Sequence, residues 1–225
     1  MPQACGIGFH KSAVVIVHML DTVFTIGHST HPLERFIALL CQHGITAICD
    51  VRSKPYSRMN PQFNREDLEK ALLAKGIEYR FLGRELGARS DDPNCYLGGK
   101  VQYGRLAETE PFKHGLKRVL RGLKDNFRIA LMCAEKEPLE CHRTILVARH
   151  LVHLDVPVTH IHGDGRLESH DAALSRLARM LNLPEEDMFH SREELLTDAY
   201  NRQEERIAYE VAEPVRSTAW KGAAG

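Results

Sequence analysis

The sequence has no surplus of charge of either sign: thirty lysines and arginines stand against thirty aspartates and glutamates. That balance excludes a wholly basic surface for duplex nucleic acid, while leaving room for a local patch. A disulfide scaffold is missing too, since the six cysteines (Cys5, Cys41, Cys49, Cys95, Cys133, Cys141) are few and scattered over 225 residues. The N-terminal stretch "KSAVVIVHML" is apolar over too few residues to span a bilayer and lacks the small-residue cleavage site of a secretory signal. No internal repeat is present. These absences lead to the expectation of a cytoplasmic protein with reduced thiols and no membrane partner.

Hydrophobic residues make up 43% of the chain, close to the globular average, so a proper core can be buried. Two periodicities alternate along it. "VFTIG" (23–27), "AICDV" (47–51), "YRFL" (79–82), "RIALMCAE" (128–135) and "VTHIHG" (158–163) are short and rich in β-formers, with helical patterns between them. In residues 30–43, Leu33, Phe36, Ile37, Leu40 and Cys41 recur at helix spacing; Ser29 or Thr30 is expected to cap this helix, and Gly44 to follow its end. Cys41 on that stripe and Cys49 inside an apolar strand both read as small core residues. Asn64 can cap a second helix, Pro111 opens a third, and residues 142–154 are apolar nearly all round.

Strands separated by helices of this length imply right-handed crossovers. The expected fold is α/β: three layers, a mostly parallel sheet of about five strands with helices on both faces, plus a C-terminal helix. Residues 1–20 read as an N-terminal extension and 21–183 as the α/β domain. Residues 184–211 read as a helical appendage of that domain, opened by Ser191 and Glu194 at capping-box spacing, and 212–225 as a disordered tail. Residues 84–110 break the rhythm, and their glycines and tyrosines point to an ordered lid.

Ligands of open α/β sheets bind beyond the carboxyl ends of the strands, and polar residues accumulate there. The first strand ends in "GHST" (27–30), where His28 is an acid, base or ligand near neutral pH and Ser29 sits at a helix start. The second ends in "DVRSKPYSR" (50–58). Asp50 and Arg52 point to one side, either as an internal ion pair or, with Ser57 and Arg58, as a site for phosphate or carboxylate oxygens. The fourth ends in "CAEKEPLECHR" (133–143), with Cys133 and Glu135 on one face and Cys141, His142 and Arg143 opening the buried helix.

Three chemistries fit that last stretch. Cys133 or Cys141 is a nucleophile with His142 or His28 as base; or Glu135 is the general acid or base and the cysteines pack; or Cys133, Cys141 and His142 bind a soft metal. Against the metal, C-x7-C-H is not a familiar zinc spacing, and adjacent Cys and His rarely reach one ion, so no metal ligand is assigned and the cofactor is left open. Arg143 reads as a ligand for substrate or as an ion pair with Asp50 or Glu135. His160 and His162 read as a sheet end.

In order, GHS, DVR-x-x-P-x-S and LMCAEK-x-P-x-x-CHR resemble a prokaryotic family, domain of unknown function 488, from about Thr25 to about Tyr209. The resemblance implies a compact α/β domain whose marked positions are His28, Ser29, Asp50, Arg52, Pro55, Ser57, Cys133, Glu135, Cys141, His142 and Arg143. It implies no activity. The leading expectation is an enzyme, hydrolase or transferase, acting on a small anionic or nucleotide-like substrate. Glu135, Cys133 and His28 are its catalytic residues, and Ser29, Asp50, Arg52, Ser57, Arg58, Cys141, His142 and Arg143 bind substrate. A non-catalytic anion- or nucleic-acid-binding module is the first alternative, with Lys113, Lys117, Arg118, Arg121 and Lys124 as a basic cluster; a metal or redox protein is the second.

Overall fold

A computed structural model describes residues 22–184 and 188–211; the expected N-terminal extension and C-terminal tail lie outside the described residues. Six strands form one sheet in the order β3-β2-β6-β1-β7-β8: β1 (Val23–Gly27), β2 (Ala47–Asp50), β3 (Glu78–Phe81), β6 (Ile129–Cys133), β7 (Val158–Ile161) and β8 (Leu167–Ser169). All neighbouring pairs are parallel except β7 with β8. The central strands β1, β2 and β6 are buried at every position, as strands covered on both faces must be. In β1 the side chains alternate: Val23 joins the apolar cluster on one side of the sheet, Phe24 and Ile26 that on the other.

On the Phe24 side lie α1 (Leu33–Gln42) and α2 (Arg65–Leu73), which pack Phe36, Leu39, Leu40, Leu68 and Leu72 against Ile48, Ala130 and Met132. On the Val23 side lie α5 (Glu110–Lys124), the segment Arg143–Ala148 with its continuation α6 (Arg149–Val152), and α7 (His170–Met180), with Phe112, Val119, Ile145, Leu146 and Leu177 against Cys49, Leu131 and Val158. The architecture is therefore the three-layer α/β arrangement expected. The antiparallel edge strand β8 and helix α7 are additions that no sequence pattern announced.

Three local expectations need correction. Neither Ser29 nor Thr30 caps α1: the cap position is Pro32 and no side chain bonds there. Ser29 instead takes a left-handed conformation, φ 50°, in the turn before the helix. Asn64 stands at the cap of α2, but its Oδ1 accepts from Ser57 N at 2.8 Å instead of from the helix. Cys41 is exposed. At 100° per residue the buried stripe centres on Phe36 and Leu40, and Cys41 falls one step past its edge.

Residues 84–110 form short ordered elements: α3 (Gly83–Leu86), the hairpin β4 (Tyr96–Leu97) and β5 (Lys100–Val101), and α4 (Tyr103–Ala107). The C-terminal helix α8 (Arg192–Ile207) begins with the capping box of Ser191 and Glu194. Its end straps onto the hairpin through Val101 N→Tyr209 O (2.9 Å) and Val211 N→Gly99 O (2.8 Å). No helix among the described residues is long and apolar enough to cross a membrane.

A buried polar chain fastens α8 to the sheet. Thr25 Oγ1 meets His160 Nδ1 at 2.8 Å, His160 Nε2 meets His170 Nδ1 at 3.1 Å, and His170 Nε2 meets the Tyr200 hydroxyl at 2.7 Å. Burial holds both imidazoles below their ordinary value, His170 at about 4. Because the folded-state values are depressed, the unfolded chain binds more protons between pH 6.5 and 4, so stability is full above that window and falls through it on acidification. For His170 alone the loss amounts to about 3 kcal/mol. Urea unfolding at a series of pH values should show this slope, and His170→Asn should flatten it; an unchanged slope in the variant would remove the assignment.

Candidate functional site

The register of the sheet lines up three strand ends. Gly27 stands beside Cys133, and Asp50 beside Met132. The chain leaving β1 continues the ladder, with His28 N→Cys133 O and Ser29 N→Ala134 O, both 2.9 Å. Gly27 is required by this approach, since a Cβ there would lie 1.9 Å from the Glu135 carbonyl oxygen. His28, Arg52 and Cys133, remote in sequence, thus meet at one rim.

Arg52 organises the first half of that rim. Asp50 Oδ1 accepts from its backbone N (3.0 Å) and Nε (2.9 Å), and Oδ2 accepts from Nη2 (2.6 Å) and from the Tyr79 hydroxyl (2.8 Å). Nη2 also donates to Phe63 O at 2.9 Å, and Nη1 reaches His28 Nε2 at 3.3 Å. Of five N–H donors, one on Nη1 is left. The internal ion pair is therefore real, and it engages most of what an anion would use. His28 is committed as well: Nδ1 donates to Ser29 O at 2.8 Å and the ring stacks on Phe63 at 4.3 Å. Burial brings its pKa down to about 4, so it stands neutral beside Arg52. Ser57 Oγ accepts from Met59 N and Asn60 N, shaping its own loop, while Arg58 is exposed.

The second half is the loop from Cys133 to Arg143. Cys133, Cys141 and His142 are buried, and Glu135, an exposed residue, turns its carboxylate back to accept from Cys141 Sγ at 3.0 Å. The two sulfurs lie 3.7 and 3.8 Å from His142 Nδ1. His142 Nε2 donates to the Val51 carbonyl at 3.0 Å, which directs Nδ1 at the thiols. Cys141 and His142 share a side despite adjacency because Cys141 is extended (φ −137°, ψ 140°) and His142 helical (φ −59°, ψ −25°). The loop is clamped from outside: Gln203 Nε2 donates to Leu139 O and Arg176 Nη2 to Glu137 Oε1, both at 2.8 Å.

Arg143 makes neither of the ion pairs expected for it. It is fully buried, and its guanidinium donates to the carbonyls of Glu135 (2.7 Å) and Lys136 (3.3 Å), with Nε unpartnered. Among the described residues no carboxylate pairs with it. A buried cation requires compensation, and the two carbonyls and the neighbouring Cys141 sulfur supply it. Burial alone raises a thiol, but the Cys133 hydrogen bond and the charges of Arg143 and His142 hold Cys141 well below its ordinary range. Burial, and then Cys141, push Cys133 well above its own. Burial and the charge of Cys141 likewise raise Glu135. Residues Arg143–Ala148 form a π-helical segment, a wide turn that recurs at functional sites.

Tyr79, Phe63 and Tyr103 are site residues that sequence reasoning missed. Tyr103, from α4, is buried in the same apolar cluster as both thiols, and only the tyrosines of residues 84–110 hinted at it. Beside the rim, a groove of about 450 Å³ is lined by Ser53, Lys54, Arg84, Arg89 and Ser90, with Asp91, Asp92 and Glu85. The basic cluster on α5 is in part neutralised, Lys113 by Glu108 and Arg118 by Glu85.

A family model described as "Domain of unknown function DUF488" matches residues 32–150, more than half of the chain. The chain belongs to the DUF488 family. The match takes in Asp50, Arg52 and the whole Cys133–Arg143 loop; His28 and the elements after residue 150 lie outside it, so it is narrower than the resemblance read from the motifs. No curated protein and no solved structure matched the chain. The DUF488 match thus spans both halves of the rim without indicating a reaction.

Asp50→Asn would leave Arg52 buried without its counter-charge, and such a loss costs about 3–5 kcal/mol. Urea unfolding should show that loss. A variant as stable as the parent would mean the pair does not hold the rim.

Proposed function

We propose that the chain is an enzyme acting on a small anionic substrate at the carboxyl-terminal rim of the sheet, with Glu135 as its proton-transferring group. The observation that supports this reading is the contact between Glu135 and Cys141 above two buried thiols. That carboxylate belongs to a residue at the surface and is bonded to a sulfur, a placement in which it can take a proton and return it.

The groove beside the rim is of a size to hold a small molecule. Lys54, Arg84 and Arg89 supply donors for the anionic groups of such a molecule, set among Glu85, Asp91 and Asp92. It starts at Ser53, the residue after Arg52, and is separated from the thiols by α4, whose Leu106 lines the groove while Tyr103 packs with the cysteines. His28 and Arg52 act here as the frame, and the acid–base work falls to Glu135. Asp50, Ser57 and Arg143 hold the frame, and the thiol that touches the reactive carboxylate is that of Cys141.

A panel of phosphate esters, carboxylate esters and nucleotides, screened with the wild-type protein, should yield turnover of at least one compound. Glu135→Gln should lower that turnover by about 10²–10⁴-fold with an unchanged circular dichroism spectrum. Retained turnover in the folded variant would refute the role given to Glu135.

A further inference from the structure

We infer that Cys133, Cys141 and His142 form a three-ligand site for a thiophilic divalent cation of the zinc type, with its fourth position open toward Glu135. The distances carry the inference. Zinc bonds sulfur at about 2.3 Å and nitrogen at about 2.05 Å, so two such donors on one tetrahedral ion stand about 3.6 Å apart. His142 Nδ1 lies 3.7 Å from Cys133 Sγ and 3.8 Å from Cys141 Sγ. All four donor atoms of the cluster, Glu135 included, lie within 4.8 Å of one another.

The surroundings are those of a ligand set. His142 gives its other ring N–H to the Val51 carbonyl, the usual way in which a metal-binding imidazole is oriented. The two sulfurs are soft donors and imidazole suits zinc, and all three residues are buried. Arg143 lies inside the protein with an unpartnered Nε and no acidic partner among the described residues. Two thiolates cancel a divalent cation, which leaves Arg143 to balance Glu135, whose backbone carbonyl it already holds.

Glu135 stands apart from the ligands by the same measure. Its Oε2 is 3.0 Å from Cys141 Sγ, too close for two donors of one tetrahedral ion. Three protein ligands and an adjacent free carboxylate are the composition of a site that activates water. Zinc deaminases use the same kinds of group, two cysteines and a third ligand with a glutamate as acid and base. In hydrolysis, water in the fourth position loses a proton to Glu135 and its oxygen bonds to the electrophilic atom of the substrate. The bond to the leaving group breaks, the electron pair goes with that group, and Glu135 returns the proton to it.

This inference rests on the enzyme reading only for the hydrolytic step; binding of the cation is tested separately. Wild-type protein is stripped with a chelator under reducing conditions and titrated with Co²⁺ alone. Saturation at one equivalent, with thiolate-to-cobalt charge-transfer absorption and the strong visible bands of a four-coordinate ion, is expected. His142→Ala and Cys141→Ser should lose those bands, whereas Glu135→Gln should keep them with the same stoichiometry. Absence of the bands from wild-type protein overturns the site without recourse to any variant. Their loss in Glu135→Gln overturns the open fourth position. Turnover by stripped protein would overturn the cation's part in the hydrolytic step and leave the enzyme reading standing. Cobalt binding together with undiminished turnover in Glu135→Gln would do the reverse.

Discussion

One guanidinium, almost wholly removed from water, ties together the parts of this molecule on which everything else at the rim depends. Arg52 bonds to Asp50 at the end of β2, to the carbonyl of Phe63 in the loop before α2, and to His28 at the end of β1. Each of those segments would otherwise end in unsatisfied polar groups facing an apolar layer. With the pair in place, the imidazole of His28 stacks on Phe63 and the chain leaving β1 is set against β6. The loop from Cys133 to Arg143 is then built on a rigid floor.

Much of the architecture was legible because it follows from simple periodicities. Strands buried on both faces read as short apolar runs, α1 as a stripe at helix spacing, and the start of α5 from Pro111. The errors have equally physical origins. Cys41 looked apolar by type but lies just beyond the stripe that faces the sheet. Thr30 and Ser29 had the chemistry of caps, yet the ladder between β1 and β6 runs two residues past the strand and draws Ser29 into a turn of its own. The three residues of β8 are too few to carry an alternating pattern.

The site divides in the same way. That polar residues gather at the strand ends could be read from sequence, and so could the alternative of an ion pair between Asp50 and Arg52. What could not be read was the conformation at Cys141, one extended residue ahead of a helical one, on which the meeting of its sulfur with His142 depends. Nor could the sequence say that Arg143 points inward, since an arginine after a cysteine and a histidine looks like a surface ligand. Tyr103 arrives from an element whose placement depends on a strap formed with Tyr209 and Val211, more than a hundred residues away.

The wide turn at Arg143–Ala148 has a consequence for how the chain tolerates change. An ordinary helix makes a turn in 3.6 residues, whereas this segment closes its hydrogen bonds five residues apart, as though one residue had been let into the spiral. Shortening the segment by a single residue would let the spiral tighten with no loss of bonding. It would also draw in the wide turn that begins beside His142, on whose position the approach of its Nδ1 to both sulfurs depends. The length of this stretch, and not merely its composition, therefore belongs to the site.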